Sequence, residues 1–281
     1  MSRNPVTIMD IQKAKTEGRK LLMITAYDYP MSQIADAAGM DMLLVGDSLG
    51  MVVLGMESTV GVTMADMIHH SKAVRRGCQY AQVVTDMPFL SYNTSIRDAI
   101  YNAGLLMKEG GADSVKLEGG ADFAPTIEAI VKAGIPVCGH VGLTPQTTSA
   151  LGGFKAQGRD EAGARKILED ALAVEAAGAY TLVVEAVPHE LGKMISDNLR
   201  IPVIGIGAGP DTDGQVLVVN DMIGLFDRFV PKFVKQYAKL RPAIIDALLA
   251  YKKEVQEKSF PAPEHCFNLT KEAKEALKDL L

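Results

Sequence analysis

The sequence contains little cysteine and no cysteine motif. Cys78, Cys138 and Cys266 lie far apart, and no Cys-x-x-Cys pair is present. This spacing argues against a zinc knuckle and against a disulfide framework. We therefore expect three reduced thiols.

Long apolar runs and an excess of positive charge are also missing. No segment approaches the about 20 uninterrupted apolar residues of a membrane helix, and residues 1–20 lack the apolar stretch of a signal peptide. Lys and Arg number 29 against 34 Asp and Glu, so no global cationic field attracts nucleic acid or anionic lipid. We expect a cytoplasmic protein of small-molecule metabolism, without nucleic-acid or membrane partners.

The apolar residues that are present follow an alternating pattern. They make up 48% of the 281 residues, which is enough for a sizeable core. Eight short apolar segments alternate with stretches of helical periodicity, which is typical of parallel βαβ units. Their continuously apolar cores fit strands that are covered on both faces. The predicted strands are Leu21–Tyr27, Met42–Gly46, Gln82–Thr85, Ser114–Leu117, Pro136–Gly139, Thr181–Glu185, Val203–Ile206 and Gln215–Val219.

Eight such units predict closure into a (β/α)8 barrel, an α/β fold that uses about 250 residues as one domain. We expect residues 1–281 to form a single barrel domain with extra helices at both ends. The N-terminal helix is predicted near Thr7–Glu17, and a C-terminal helical extension begins at about Lys232 and runs to Lys258. A turn that contains proline separates this extension from a last helix over Lys271–Leu281.

Acidic residues end three consecutive predicted strands. Asp47 follows the second strand, Asp86 the third and Glu118 the fourth. Because barrel active sites form at the carboxyl ends of the strands, we expect these carboxylates to converge. Hard oxygen ligands without soft sulfur favour magnesium or a similar divalent ion. A single Asp at a strand end is more often a turn or cap residue, so the prediction depends on the combination.

Three further polar residues belong to the same strand ends. Lys116 lies two residues before Glu118 and therefore points to the same face, where it could hold a substrate carboxylate or form a salt bridge with one of the acids. His140 and Glu185 end the fifth and sixth strands. His140 fits either the site itself or a supporting position behind it.

Two short motifs have alternative interpretations. Residues 46–49 spell the Gly-Asp-Ser-Leu box of a hydrolase family, which completes its triad with Asp-x-x-His near the C-terminus. The matching pair here is Asp66 and His69, on the helix just after the box, where surface or packing roles are expected for His69 and His70. Gly205–Gly209 resembles a barrel phosphate loop but lacks the dinucleotide spacing Gly-x-Gly-x-x-Gly.

Eight motifs spread along the chain belong to one pattern. They are Gly-Asp-Ser-Leu-Gly-Met-Val-Val-Leu-Gly at 46–55, Asp-Met-Pro-Phe at 86–89, Val-Lys-Leu-Glu-Gly-Gly at 115–120, Gly-His-Val-Gly-Leu-Thr-Pro-Gln at 139–146, Gly-Gly-Phe-Lys-Ala-Gln-Gly-Arg at 152–159, Ile-Gly-Ile-Gly-Ala-Gly at 204–209, Thr-Asp-Gly-Gln at 212–215 and Pro-Glu-His at 263–265. This set resembles the ketopantoate hydroxymethyltransferase family over nearly the whole chain.

The resemblance implies a TIM barrel of the phosphoenolpyruvate/pyruvate superfamily type. It implies formation of 2-dehydropantoate (ketopantoate) from 3-methyl-2-oxobutanoate, 5,10-methylenetetrahydrofolate and water. This is the first step in the biosynthesis of pantothenate, the coenzyme A precursor. One Mg²⁺ per subunit, methylenetetrahydrofolate as cosubstrate and a homodecamer are further expectations.

The resemblance also assigns roles to residues. Glu185 corresponds to the proton acceptor, and His140 corresponds to a polar neighbour that supports the site. The implied metal site is Asp47, Asp86 and Glu118. The implied substrate contacts are Asp47, Ser48, Asp86 and Lys116.

Two rival functions fit the same residues. A carbon–carbon lyase or phosphonomutase on a related barrel would share the metal and 2-oxo acid site but would lack a folate pocket. A non-catalytic barrel that binds metal and senses a keto acid is the other alternative. All of the polar residues expected at the strand ends of an enzyme are present, which argues against the sensor.

Overall fold

Eight parallel strands form a closed barrel in sequence order, and the eighth strand pairs again with the first. The structure, a computed structural model, describes residues 4–148, 153 and 155–278. Residues 152 and 154 of the Gly-Gly-Phe motif and the last three residues of the predicted terminal helix lie outside this part. The predicted (β/α)8 barrel is confirmed. Its strands are β1 (Leu21–Thr25), β2 (Met42–Val45), β3 (Gln82–Asp86), β4 (Ser114–Glu118), β5 (Val137–Gly142), β6 (Thr181–Glu185), β7 (Val203–Ile206) and β8 (Gly214–Leu217).

The barrel strands are buried because helices cover their outer face and side chains fill the interior. Every residue of β2 and β3 is buried. Where β8 closes against β1, Gly214 pairs with Leu21. A Cβ at Gly214 would come within 2.6 Å of the Leu21 carbonyl oxygen, so only glycine fits at this closure.

Helices surround the barrel, as the periodicity predicts. They are α1 (Ile8–Thr16), α2 (Tyr29–Ala37), α3 (Leu49–Val52), α4 (Met64–Gly77), α5 (Ile96–Lys108), α6 (Ala124–Lys132), α7 (Glu161–Ala176), α8 (His189–Asn198), α9 (Val219–Met222), α10 (Leu240–Gln256) and α11 (Lys271–Lys278). The short helices α3 and α9 are not predicted from the sequence, because one turn is too short to show a helical period. Within the described residues, no helix has the length and hydropathy of a membrane span.

Helix α1 packs into the amino-terminal end of the barrel. Ile11 and Ala14 are buried against side chains that fill the barrel interior. Lys15 Nζ donates to the Ser196 carbonyl and to Asp213 Oδ2, both at 2.8 Å. These contacts cover the amino-terminal end, and the carboxyl ends of the strands form the open mouth.

The start of the C-terminal extension differs from the prediction. Helix α10 begins at Leu240 and not at Lys232, and the chain between α9 and α10 is irregular. The Tyr237 N–H donates to the carbonyl of the last residue of α9 at 2.8 Å. Phe233 lies against Gly207 at the barrel mouth. These two contacts hold the irregular segment against the barrel.

Candidate active site

The polar residues predicted at the strand ends lie together at the open mouth of the barrel. Asp47 lies two residues after the end of β2. Asp86, Glu118 and Glu185 are the last residues of β3, β4 and β6, and Lys116 and His140 each lie two residues before the end of their strand. Parallel pairing sets Asp86 beside Lys116 and Glu118 beside His140. The side chains that line this part of the mouth are Asp47, Asp86, Lys116, Glu118, His140 and Glu185.

Lys116 provides the positive charge of the site. Its Nζ forms an ion pair with Asp86 Oδ1 at 2.9 Å, and both side chains are buried. Burial alone would lower the pKa of the ammonium, but the carboxylates of Asp86, Glu118 and Asp47 raise it above its ordinary value. Lys116 therefore stays charged, and the salt bridge considered from the sequence is present.

The carboxylates of Asp47 and Asp86 are neighbours. The Asp47 backbone N–H donates to Asp86 Oδ2 at 3.0 Å. Burial, followed by the negative charge of Asp86, raises the pKa of Asp47 to about 7. Burial, followed by the charge of Asp47, also raises the pKa of Glu118 well above its usual range. The site therefore concentrates negative charge that a cation would stabilise.

The donor set fits a magnesium ion held by few protein ligands. Asp86 Oδ1 is buried and accepts no well-aligned hydrogen bond within the described residues. No group of three or more Asp, Glu, His or Cys side chains in that part of the chain is close enough to enclose a metal ion. Mg²⁺ commonly binds one or two carboxylates and keeps its remaining positions for water and substrate. The site of Asp47, Asp86 and Glu118 stays a prediction.

His140 lies between the acids of the mouth. Lys116 Nζ is 3.4 Å from His140 Nδ1, so the lysine donates and the imidazole carries its proton on Nε2. That nitrogen lies 3.3 Å from Glu185 Oε2. Burial and the Lys116 charge lower the pKa of His140 well below its ordinary value, so the ring is neutral at physiological pH. A neutral imidazole N–H therefore faces the Glu185 carboxylate.

Glu185 combines a perturbed pKa with access to the cavity. Its side chain is 15% exposed, more than Asp47, Asp86 or Glu118. Burial raises its pKa to about 7, although the Lys116 charge opposes the shift. A carboxylate with this pKa is suited to general base catalysis at neutral pH.

Ser48 lacks the partners of a hydrolase nucleophile. Its Oγ lies 2.9 Å from the hydroxyl of Tyr27, a buried residue that the sequence did not single out. Asp66 instead caps α4 through Thr63, and His69 is exposed on that helix. The geometry therefore does not support the hydrolase interpretation of the Gly-Asp-Ser-Leu box.

The Gly205–Gly209 run is explained by packing. Gly207 and Gly209 have φ values of 64° and 85°, a region that favours glycine. A Cβ at Gly207 would come within 2.7 Å of Phe233, and one at Gly209 within 2.3 Å of His189 Cβ. Close approach of other chain segments accounts for these glycines without a phosphate ligand.

Gln146 connects two of the predicted acids and was missed as a site residue. Its backbone N–H donates to Glu118 Oε2 at 3.0 Å, and its side-chain Nε2 donates to Asp47 Oδ2 at 2.9 Å. The Tyr92 hydroxyl donates to Gln146 Oε1 at 2.7 Å, which fixes the direction of the amide. Nothing in the sequence reveals this role, because the residue lies in the loop after β5 and reaches the acids only when the barrel forms.

The site opens into a cavity of about 1130 Å³. Its walls include the strand-end residues, the α3 region and the irregular segment between α9 and α10. Drug-sized ligands typically occupy pockets of about 300–1000 Å³. The space therefore exceeds what a five-carbon keto acid needs.

Solved structures similar to this barrel share its architecture. A crystal structure of phosphonopyruvate hydrolase has a TM-score of 0.61 at 12% identity and covers 97% of this chain and 95% of that chain. A crystal structure of 2,3-dimethylmalate lyase, a PEP mutase/isocitrate lyase superfamily member, has a TM-score of 0.60 at 15% identity, with 92% of both chains covered. At these identities, the likeness concerns the fold.

Sequence relatives are much closer. A 3-methyl-2-oxobutanoate hydroxymethyltransferase of Moorella thermoacetica is 60% identical over 265 residues, which cover 94% of this chain and 98% of the relative. Its counterpart in Heliobacterium modesticaldum is 55% identical over 269 residues, or 96% of this chain and 98% of the relative. The fold and the acidic mouth define a (β/α)8-barrel enzyme. The family model for ketopantoate hydroxymethyltransferase matches residues 5–263, and the chain belongs to that family.

Replacing Gln146 with Leu should destabilise the mouth of the barrel. The variant leaves the Tyr92 hydroxyl and the Asp47 carboxylate each without one buried partner, so we expect the free energy of unfolding to fall by about 1–3 kcal/mol. Urea denaturation measures the change. Gln79→Leu, at an exposed position, is the matched control and should have little effect. Equal stability of Gln146→Leu and the parent would mean that these hydrogen bonds do not form in solution.

Proposed function

We propose that this chain forms 2-dehydropantoate from 3-methyl-2-oxobutanoate, 5,10-methylenetetrahydrofolate and water, the first step of pantothenate biosynthesis. The observation that carries the proposal is Glu185, a partly exposed carboxylate with a pKa of about 7, beside a lysine and two neighbouring aspartates. This arrangement suits removal of a proton next to a ketone. The names of the relatives at 60% and 55% identity support the same reaction.

Lys116 and Ser48 are proposed to bind the oxo acid. The Lys116 ammonium is buried and charged, so it offers strong, poorly screened attraction to a substrate carboxylate. Ser48 lines the same cavity and can donate to substrate while the Tyr27 hydroxyl holds its Oγ. These contacts would orient C3 of the oxo acid toward Glu185.

Asp47 and Asp86 are proposed to hold one Mg²⁺, with Glu118 completing its environment. The adjacent, buried carboxylates of Asp47 and Asp86 support this assignment. A bound ion supplies Lewis-acid stabilisation of the negative charge that develops on a keto oxygen. Gln146 keeps the Asp47 and Glu118 carboxylates oriented.

Glu185 is the proposed general base. Removal of the C3 proton produces an enolate, whose carbon attacks the methylene carbon of the folate as one of its two C–N bonds breaks. Water then replaces the second folate nitrogen on that carbon, which gives the hydroxymethyl product and tetrahydrofolate, and the two released nitrogens take up one proton each, equal in number to those lost from C3 and from water. His140 Nε2 lies 3.3 Å from Glu185 Oε2, and the neutral ring adds no positive charge that would lower the basicity of the carboxylate. General base catalysis typically contributes about 10² to 10⁴ in rate.

The large cavity favours a second, larger substrate. At about 1130 Å³, it has room for a folate beside the keto acid. A lyase, a phosphonomutase or a keto acid sensor would have no use for this extra space, and neither rival is supported by a specific contact.

We also propose that the chain forms a homo-oligomer, a decamer by family resemblance, of one-domain subunits that work in the cytoplasm. Helix α10 has no buried residue in the single chain. Four apolar side chains lie on one of its faces, which a second copy would cover because exposed apolar stripes of this kind are typical of interfaces. They are Ile244, Leu248, Tyr251 and Val255, exposed by 44–61%.

Incubation of the purified chain with both substrates and Mg²⁺ tests the reaction. We expect ketopantoate, detected by mass spectrometry, and no product when either the folate or the metal is omitted. Cleavage of the oxo acid without folate would favour the lyase alternative. Binding of the oxo acid without any product would favour the sensor.

The Glu185→Gln variant tests the base. It keeps volume and hydrogen-bonding reach but removes basicity, so proton–deuteron exchange at C3, measured in heavy water with metal and without folate, should slow by about 10² or more. In the parent, exchange should rise with pH through about 7, because Glu185 accepts a proton only when it is ionised. Oxo acid binding by calorimetry serves as the control and should persist. If the variant exchanges at the parental rate, another residue is the general base, and His140 is the next residue to test.

Light scattering tests the oligomer. The parent should have about ten times the 30.1 kDa mass of the chain. Leu248→Glu should lower the mass, because it introduces charge into the apolar face of α10, whereas Lys253→Glu on the opposite face should not. A monomeric mass in an active preparation contradicts the proposal.

A further inference from the structure

Asp221 is a buried carboxylate in the cavity wall that takes no part in the proposed chemistry. It lies in α9, directly after β8, and is 7% exposed. Its Oδ1 has no hydrogen-bond donor, and its side chain forms no ion pair within the described residues. Buried polar groups are almost always paired, so an unpaired carboxylate in a cavity wall marks a place where a ligand donor belongs.

The charge state of Asp221 strengthens this conclusion. Burial raises the pKa of its carboxyl to about 6, so most molecules carry the negative charge at neutral pH. A buried charge without a partner is strongly unfavourable. A ligand that donates hydrogen bonds to the carboxylate would therefore bind with a large favourable contribution.

Asp221 lies on a different part of the wall from the proposed base. The Val219 N–H donates to Thr25 Oγ1 at 2.8 Å, which ties α9 to the end of β1. Glu185 ends β6, two strands from β8 in the barrel order. Asp221 therefore gives the cavity a further acidic group just after the end of β8.

Apolar side chains also line the cavity on the side of β8 and α3. Met51, Val52, Leu217 and Phe226 line the same cavity. Such side chains can pack against the faces of a flat ring, while the Asp221 carboxylate accepts hydrogen bonds from donors on the edge of the ring. The chemistry of this wall therefore fits a planar ligand with hydrogen-bond donors on one edge.

We propose that Asp221 binds the paired N–H donors of the pterin ring of the folate cosubstrate. A reduced pterin carries an exocyclic amino group beside a ring N–H, and these two parallel donors match the two oxygens of a carboxylate. This inference rests on the proposed function, because it assigns the folate end of the same cavity.

Cations at the cavity rim match the other end of a folate. Lys155, Arg228 and Lys232 are exposed and line the cavity. Arg228 is held in place by hydrogen bonds to the carbonyls of Gly55 and Met56 at 3.1–3.3 Å. The tail of a folate carries carboxylates, so the ring would lie inward against Asp221 and the tail outward toward these cations.

The Asp221→Asn variant tests the proposal. It preserves size but replaces one acceptor with a donor, so we expect tetrahydrofolate binding, measured by calorimetry, to weaken by about 10- to 100-fold. The KM for methylenetetrahydrofolate should rise to a similar extent. C3 exchange without folate should keep its parental rate. Asp197→Asn removes an equal charge at the far end of α8, where Asp197 is exposed, and should leave folate binding unchanged.

A tetrahydrofolate analogue with a methyl group in place of the 2-amino group provides a second test, whose main measurement is made on the parental enzyme. The parental enzyme should bind it about tenfold or more weakly than tetrahydrofolate. Asp221→Asn should discriminate far less between the two ligands. Equal binding of both ligands by the parent overturns the inference.

The two proposals fail in different ways. A parental enzyme that forms no ketopantoate contradicts the proposed function and, with it, this inference. If the parent turns over while Asp221→Asn binds tetrahydrofolate as the parent does, the inference about Asp221 alone is wrong.

Discussion

The charge of Lys116, buried among carboxylates, is the interaction on which the site depends. Asp47, Asp86 and Glu118 lie in the same low-dielectric mouth, where like charges repel strongly. The ammonium offsets this repulsion through its 2.9 Å ion pair with Asp86. Burial and the same charge lower the pKa of His140, whereas burial raises the pKa of Asp47, Glu118 and Glu185 even though the Lys116 charge opposes the rise. General acid–base chemistry needs groups whose environments separate their pKa values in this way.

Closure of the barrel is what brings this charge and its partners together. Asp86 and Lys116 pair in register on neighbouring strands, and Glu118 pairs with His140 on the next. Their side chains can meet only because the strands are parallel and end at one edge. At the opposite end, α1 fills the barrel and leaves the carboxyl ends as the open mouth. The stability of the scaffold and the chemistry of the mouth are therefore separated along the barrel axis.

The cavity divides into two chemical halves. Strands β2 to β6 contribute charged and polar groups, whereas the wall near β8 and α3 contributes several apolar side chains together with the acids Asp221 and Glu57. The segment between α9 and α10 forms part of the rim, with Phe233 against the glycine-rich end of β7. A small anionic substrate and a flat, larger one would each find a matching surface, which is the physical basis for a two-substrate reaction in one cavity.

The sequence by itself determined the barrel and the strand-end acids, because continuous apolar strands alternate with helices and place Asp47, Asp86, Glu118 and Glu185 after them. These signals are local, within a few residues of each strand. Only the tertiary structure revealed Gln146 and Tyr92, which meet the acids through contacts between distant segments, and Asp221, which is buried in the cavity wall without a donor for its Oδ1. It also decided that the chain stays irregular as far as Lys239, where the Tyr237 and Leu240 N–H groups donate to the carbonyls of Met222 and Ile223 rather than within a helix. Hydrophobic periodicity is a property of residues that are close in sequence, so it can be recognised without a structure. The pairing of buried polar groups depends on which distant segments the fold brings into contact.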